Sequence, residues 1–172
     1  MGARMNLRFF AAFFSLFVSL TAGASQPTLQ AQKLALESFY RNYLDNLGSP
    51  SSLEEGALLF SQSLRDLIQK HDATCPKDEV CAWGSAGDPF LDAQDYGDDL
   101  KFANSQFSIR EVAGDNQTVF EVTFTLDPKD NDSYYARTIQ YIARPEGNGW
   151  AIDDMVYLNG GTERSLRSEL SK

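Results

Sequence analysis

Three stretches decide the fold: TVFEVTFTL at 118–126, YYARTIQYIA at 134–143 and WAIDDMVYL at 150–158. In the first, Phe120, Val122, Phe124 and Leu126 alternate with polar or small residues, the period of a half-buried strand. Before them Phe107-x-Ile109 begins a shorter run of the same kind. The connections GDN at 114–116, DPKDND at 127–132 and PEGNG at 145–149 are short and rich in turn formers. Runs joined this way pair as antiparallel neighbours, so a four-stranded meander is predicted.

Upstream, the period changes. Between 28 and 47, Leu29, Leu36, Tyr40, Tyr43, Leu44 and Leu47 recur at steps of three and four, while Lys33, Glu37, Arg41 and Asp45 take other faces. Pro27 before this run and Gly48 after it suit the start and stop of an amphipathic helix. Residues 51–72 also read as helical, in two pieces. Ser51-x-x-Glu54 and Ser52-x-x-Glu55 offer capping boxes, and Ser61 is placed to start a helix bearing Leu64, Leu67 and Ile68. A short helix is expected at 163–170. Helices followed by a run of strands give an α+β domain, with N-terminal helices packed on one face of a curved sheet.

The first 24 residues stand apart. Arg4 and Arg8 precede FFAAFFSLFVSL at 9–20, and Ala22 and Ala24 supply an A-x-A cleavage pattern. The apolar run is too short to span a bilayer, so residues 1–24 are read as a secretory signal peptide and 25–172 as a single domain. No second apolar stretch reaches spanning length, and the expected address is the periplasm, with secretion as the alternative. The chain has 15 Lys+Arg against 24 Asp+Glu, a net charge of −9. Loss of the leader removes two basic residues and no acid, and takes the charge to −11. So acidic a chain does not grip phosphate backbones, which excludes nucleic acid as a partner.

Between 73 and 100 the periodicity disappears. CPKDEVCAWGSAGDPFLDAQDYGDDL at 75–100 holds both cysteines, Trp83, two prolines and seven acids. Long connections of this kind often carry binding. Cys75 and Cys81 form an even pair in an exported chain and are expected to close a disulfide that pins the segment before Trp83. His71 is the only histidine, so a multi-histidine zinc site is excluded; it is expected to sit at the end of the second helical region, against the terminal carbonyls. Asp88, Asp92, Asp95, Asp98 and Asp99 form one acidic cluster and Asp127, Asp130 and Asp132 another. Neither matches the twelve-residue calcium loop, so no metal and no cofactor is assigned.

Two functional readings remain. In the first, Trp83, Asp88, Phe90, Asp92, Asp95 and Tyr96 form an aromatic and acidic binding surface for a protein partner, a cationic one by preference, or for a small apolar ligand. In the second, Trp150, Ile152, Asp154 and Val156 share one strand face. Asp154 then reaches an apolar interior, where its carboxyl would have a raised pKa and act as acid or base with Tyr141 as hydrogen-bond donor.

FYRNYLDNL at 39–47, LFSQSLRDLI at 59–68, DPFLDAQD at 88–95 and GWAIDDMVY at 149–157 carry a resemblance. They are similar to a group of exported bacterial proteins known as domain of unknown function 3828, over roughly residues 29–158. The resemblance implies an NTF2-like, cone-shaped α+β architecture and export, and brings no catalytic residue with it. Several members of the group are lipoproteins, and the present chain lacks a lipid-accepting Cys. A non-enzymatic binding module is therefore the expected function, an immunity-type inhibitor of a cell-wall hydrolase being one form of it. An NTF2-like isomerase or dehydratase using Asp154 is the alternative.

Overall fold

A computed structural model describes residues 28–172, apart from 50, 78, 80, 84–86, 114–116 and 131. The leader read at 1–24, with Pro27 and the GDN turn, lies outside the described residues. Helix α1 spans Leu29–Asp45, α2 Ser51–Ala57, α3 Gln62–Thr74 and α4 Leu166–Leu170; strands β1 to β5 span Ser108–Ala113, Thr118–Thr125, Ala136–Glu146, Gly149–Tyr157 and Arg164–Ser165. All neighbouring strands are antiparallel, in the order β1-β2-β3-β4-β5. The chain is α+β, and among the described residues its sheet has five strands rather than four. The fifth is two residues long, too short to leave an alternation in the sequence.

Helix α1 starts where Thr28 caps it, its side chain accepting from Ala31 N at 3.3 Å. It buries Gln32, Leu36, Phe39, Tyr40, Tyr43 and Leu44; of the predicted stripe Leu29 and Leu47, at its two ends, are only partly buried, and Gln32 and Phe39 are added. Ser61 caps α3 through Leu64 N, as its position before an apolar-periodic run requires. His71 lies in the last turn of α3. The same Ser61 begins a tie to the sheet: its N–H donates to Ile152 O at 2.7 Å, and Ile152 N donates to Leu59 O at 2.9 Å.

Phe120, Val122, Ile139, Tyr141, Ala143, Ile152, Met155 and Tyr157 make the inner face of the sheet and join α1, α3 and α4 in one core. Tyr40 and Tyr141 are both fully buried and meet in its centre, their hydroxyls 2.6 Å apart. Burial of such large side chains stabilises by about 2–3 kcal/mol each before entropy is subtracted. No helix among the described residues is long and apolar enough to cross a membrane.

One irregularity changes the meaning of β4. Ala143 pairs with Ile152 but Ile142 pairs with Asp154, so Asp153 is an extra residue in a bulge. The alternation shifts there. Ile152 stays on the inner face with Met155 and Tyr157, whereas Asp154 pairs with Ile142 on the outer face and Val156 lies on its side. The expected shared face of Ile152 and Asp154 is thus corrected: Asp154 does not reach the interior.

Candidate functional site

The segment between α3 and β1 divides in two. In its first part Cys75 and Cys81 are joined by a disulfide, with Cα atoms 5.8 Å apart. A loop this small removes only about 2–3 kcal/mol of denatured-state entropy, so positioning is its larger effect. His71 Nε2 lies 3.2 Å from Ala82 O and Trp83 Nε1 donates to Asp72 Oδ1 at 3.1 Å, which holds the bridged loop against the end of α3. Trp83 is half-buried and, with Leu53, Cys81, Ala82 and Pro89, lines a shallow cleft of about 290 Å³.

The second part begins with a tight turn. Asp88 Oδ1 accepts from Phe90 N at 2.9 Å and Leu91 N at 3.1 Å, while Tyr43 Oη donates to Oδ2. Asp88 N donates to Ala93 O and Asp92 N to Asp88 O, closing the turn from both ends. Phe90 is thereby driven inward, fully buried against Phe39, Tyr43 and Phe60. A Cβ on Gly56 would lie 2.2 Å from the Phe90 ring, so this approach requires glycine. Phe90 therefore belongs to the core and is removed from the expected binding surface. Burial pushes the Asp88 carboxyl above the usual carboxylate range, against the lowering effect of its three donors.

Asp92 is also corrected. It adopts a φ of 51°, which an Asp tolerates better than a branched residue. Its side chain is 3% exposed, with Arg164 Nη2 on Oδ1 and Asn159 Nδ2 on Oδ2 at 2.6 Å. Arg164 also reaches Glu169 at 3.2 Å and lies 5.0 Å from the Tyr157 ring centroid. Asp92 is an anchor tying the turn to β5 and α4, and its carboxylate faces no solvent.

Beyond Ala93 the chain turns outward. Gly97 N donates to Leu126 O at 2.9 Å, and Leu126 N donates to Tyr135 O at 2.9 Å, so three segments meet at the buried Leu126. Between them opens a cleft of about 580 Å³, walled by Asp95, Tyr96, Asp127, Tyr134, Tyr135 and Arg137. Tyr96 is 39% and Tyr134 73% exposed. Arg137 forms one wall, donating to the carbonyls of Asp92 at 3.2 Å, Tyr134 at 2.6 Å and Ala136 at 2.9 Å. Its guanidinium carbon lies 5.9 Å from the Tyr134 ring centroid.

Of the six residues assigned to a binding surface, Asp95 and Tyr96 line this cleft beside the anchored Asp92, Trp83 and the largely enclosed Asp88 line the other, and Phe90 is in neither. Tyr134, Tyr135 and Arg137 were not assigned. The strand was expected to begin at Tyr134, but Asp132 accepts from Tyr134 N at 2.9 Å and starts a 3-10 turn at 133–135, which turns Tyr134 to solvent. The Asp-rich 127–132 stretch before it held that signal, since Asp-x-x repeats favour such side-chain-capped turns. Those acids serve the loop itself, Asp127 accepting from Lys129 N and Asp130 from Asp132 N, both at 2.9 Å. Among the described residues no group of three or more His, Cys, Asp or Glu could hold a metal ion.

The alternative catalytic pair is not brought together. Tyr141 donates to Tyr40, because Tyr40 spends its own proton on Phe90 O at 2.9 Å. Burial holds both phenols well above their ordinary pKa, and they stay neutral. Asp154 lies on the opposite face of the sheet, accepting from Ser165 Oγ at 2.6 Å and Arg167 N at 2.9 Å, at the start of α4. Compared with protein-family models, curated proteins and solved structures, the chain matches none.

Proposed function

We propose that the chain is an exported, periplasmic binding module of the domain of unknown function 3828, NTF2-like kind, which engages a cationic protein partner without catalysis. The observation that carries this reading is the cleft lined by 95–97, 126–127, 134–135 and 137, where Tyr96 and Tyr134 stand exposed beside Asp95 and Asp127. Exposed aromatics supply contact area at low entropic cost, and complementary charge raises the rate of encounter. The non-catalytic half of the proposal is supported by the separation of Tyr141 from Asp154 across the sheet. An inhibitor that occludes a basic cell-wall hydrolase is one form such a module would take.

Capture from periplasmic extract tests the reading, with the mature chain and the double variant Asp95→Asn/Tyr134→Ala as baits. The expected result is a basic protein retained by the first bait, released by moderate salt and lost from the second. Equal retention by both baits refutes the assignment of the cleft as the binding face.

A further inference from the structure

Resting on that reading of the cleft, we infer that it is a receptor for one organic cation, the guanidinium or ammonium head of an arginine or lysine side chain presented by the partner. Three tyrosines wall one cavity, two of them with large solvent exposure. Tyr134 and Tyr135 meet edge to face, centroids 5.3 Å apart at 84°, so their ring faces point in different directions. A ring face attracts a cation within about 6 Å of its centroid. The chain already places one guanidinium at that range, Arg137 over Tyr134.

The charge of Arg137 does not cancel the acids of the cleft. Its donors run to the carbonyls of Asp92, Tyr134 and Ala136, and none of these bonds reaches Asp95 or Asp127. The Asp92 carboxylate is taken by Arg164 and Asn159. Asp95 and Asp127 remain at the wall; Asp127 accepts Lys129 N on Oδ1 at 2.9 Å, and its loop is tied to the 95–99 stretch by Lys129 to Asp99 at 3.0 Å. The volume of about 580 Å³ is that of a small-ligand cleft and admits an aliphatic stem with its charged head. A neutral side chain of the same shape would gain the stem contact and lose the cation's attraction to ring and carboxylate.

The test is a titration of the mature chain, followed by backbone amide shifts, with N-acetyl-arginine methylamide and N-acetyl-lysine methylamide. Citrulline and norleucine derivatives serve as neutral counterparts. Both cations are expected to shift amides at 94–97 and 134–137 at millimolar concentration, and the neutral compounds to leave them in place. Tyr134→Leu should weaken binding about fivefold and Tyr134→Phe less than about twofold, since the ring and not the hydroxyl is required. Asp95→Asn should weaken it about threefold at low salt, with the difference shrinking as salt is added. Citrulline binding like arginine, unchanged binding by Tyr134→Leu, or no shift by either cation overturns the inference. Should the cations bind while no partner depends on the cleft, the proposed function fails and the receptor stands. Should a partner depend on Asp95 and Tyr134 while neither free cation binds, the receptor fails and the function stands.

Discussion

DPFLD at 88–92 and DYGDD at 95–99 are built alike, an aromatic ring among carboxylates, and only Ala93 and Gln94 separate them. Phe90 is fully buried and Tyr96 is 39% exposed. The difference lies in what the backbone does. The first stretch is closed on itself by the Asp88 carboxylate, which takes the N–H groups of Phe90 and Leu91 and turns the Phe90 ring toward Phe39 and Tyr43 of α1. The second is held to the sheet through Gly97 N and Leu126 O, a contact that fixes its position and leaves the ring outside. Composition does not distinguish core from surface here; the location of the backbone partners does.

The largest expected effect is on stability and separates the two rings. Phe90→Ala should cost about 3–5 kcal/mol, the usual range for an aromatic removed from a packed site that cannot collapse. Tyr96→Ala should cost less than about 1 kcal/mol. Chemical denaturation measures both, and similar midpoints for the two variants would break the comparison. The carboxylates separate in the same way at smaller scale. Asp92→Ala removes the buried carboxylate that Arg164 and Asn159 both bond and should cost about 3 kcal/mol, toward the low end for a broken buried pair. Asp95→Ala, on the exposed stretch, should stay within about 0.5 kcal/mol.

The helices and the meander were legible because their signals are periodic and local: the Leu36, Tyr40, Tyr43, Leu44 stripe, the Ser61 cap, and the alternation from Phe120 to Leu126. The cysteine pair was legible from its even count. What escaped the sequence depended on single backbone events. One extra residue at Asp153 moved Asp154 from the inner face to the outer, and no composition rule marks a bulge in W-x-I-D-D. One carboxylate cap at Asp88 buried Phe90, and another at Asp132 exposed Tyr134. Gly56 is the trace of the Phe90 site in the sequence, but only the fold places that glycine opposite the ring.

The smallest expected effect is a pH dependence of opposite sign at two carboxylates. Burial raises the folded pKa of Asp88. Its contribution to stability is complete below the unfolded value and is lost as pH rises through the folded one. Asn at this position keeps an oxygen for the two N–H groups and offers an amide to Tyr43. Asp88→Asn should therefore gain on the wild type steadily as pH rises from about 4 toward neutrality. Glu121 is the reverse case. Its desolvation would raise its pKa, yet hydrogen bonds from Arg110 at 2.8 and 2.5 Å and from Gln140 at 3.1 Å outweigh it and hold the carboxyl below its ordinary value. That stability is present above the unfolded pKa and fades as pH falls through the folded one, so Glu121→Gln should lose ground at neutral pH and match the wild type in acid. The Arg110 side chain is 68% exposed, and solvent screening keeps this loss below about 1 kcal/mol. Urea midpoints between about pH 3 and pH 8 read both slopes. Slopes of the same sign would mean that the turn at Asp88 is open to water, and that the enclosure separating it from the Tyr96 stretch is absent in solution.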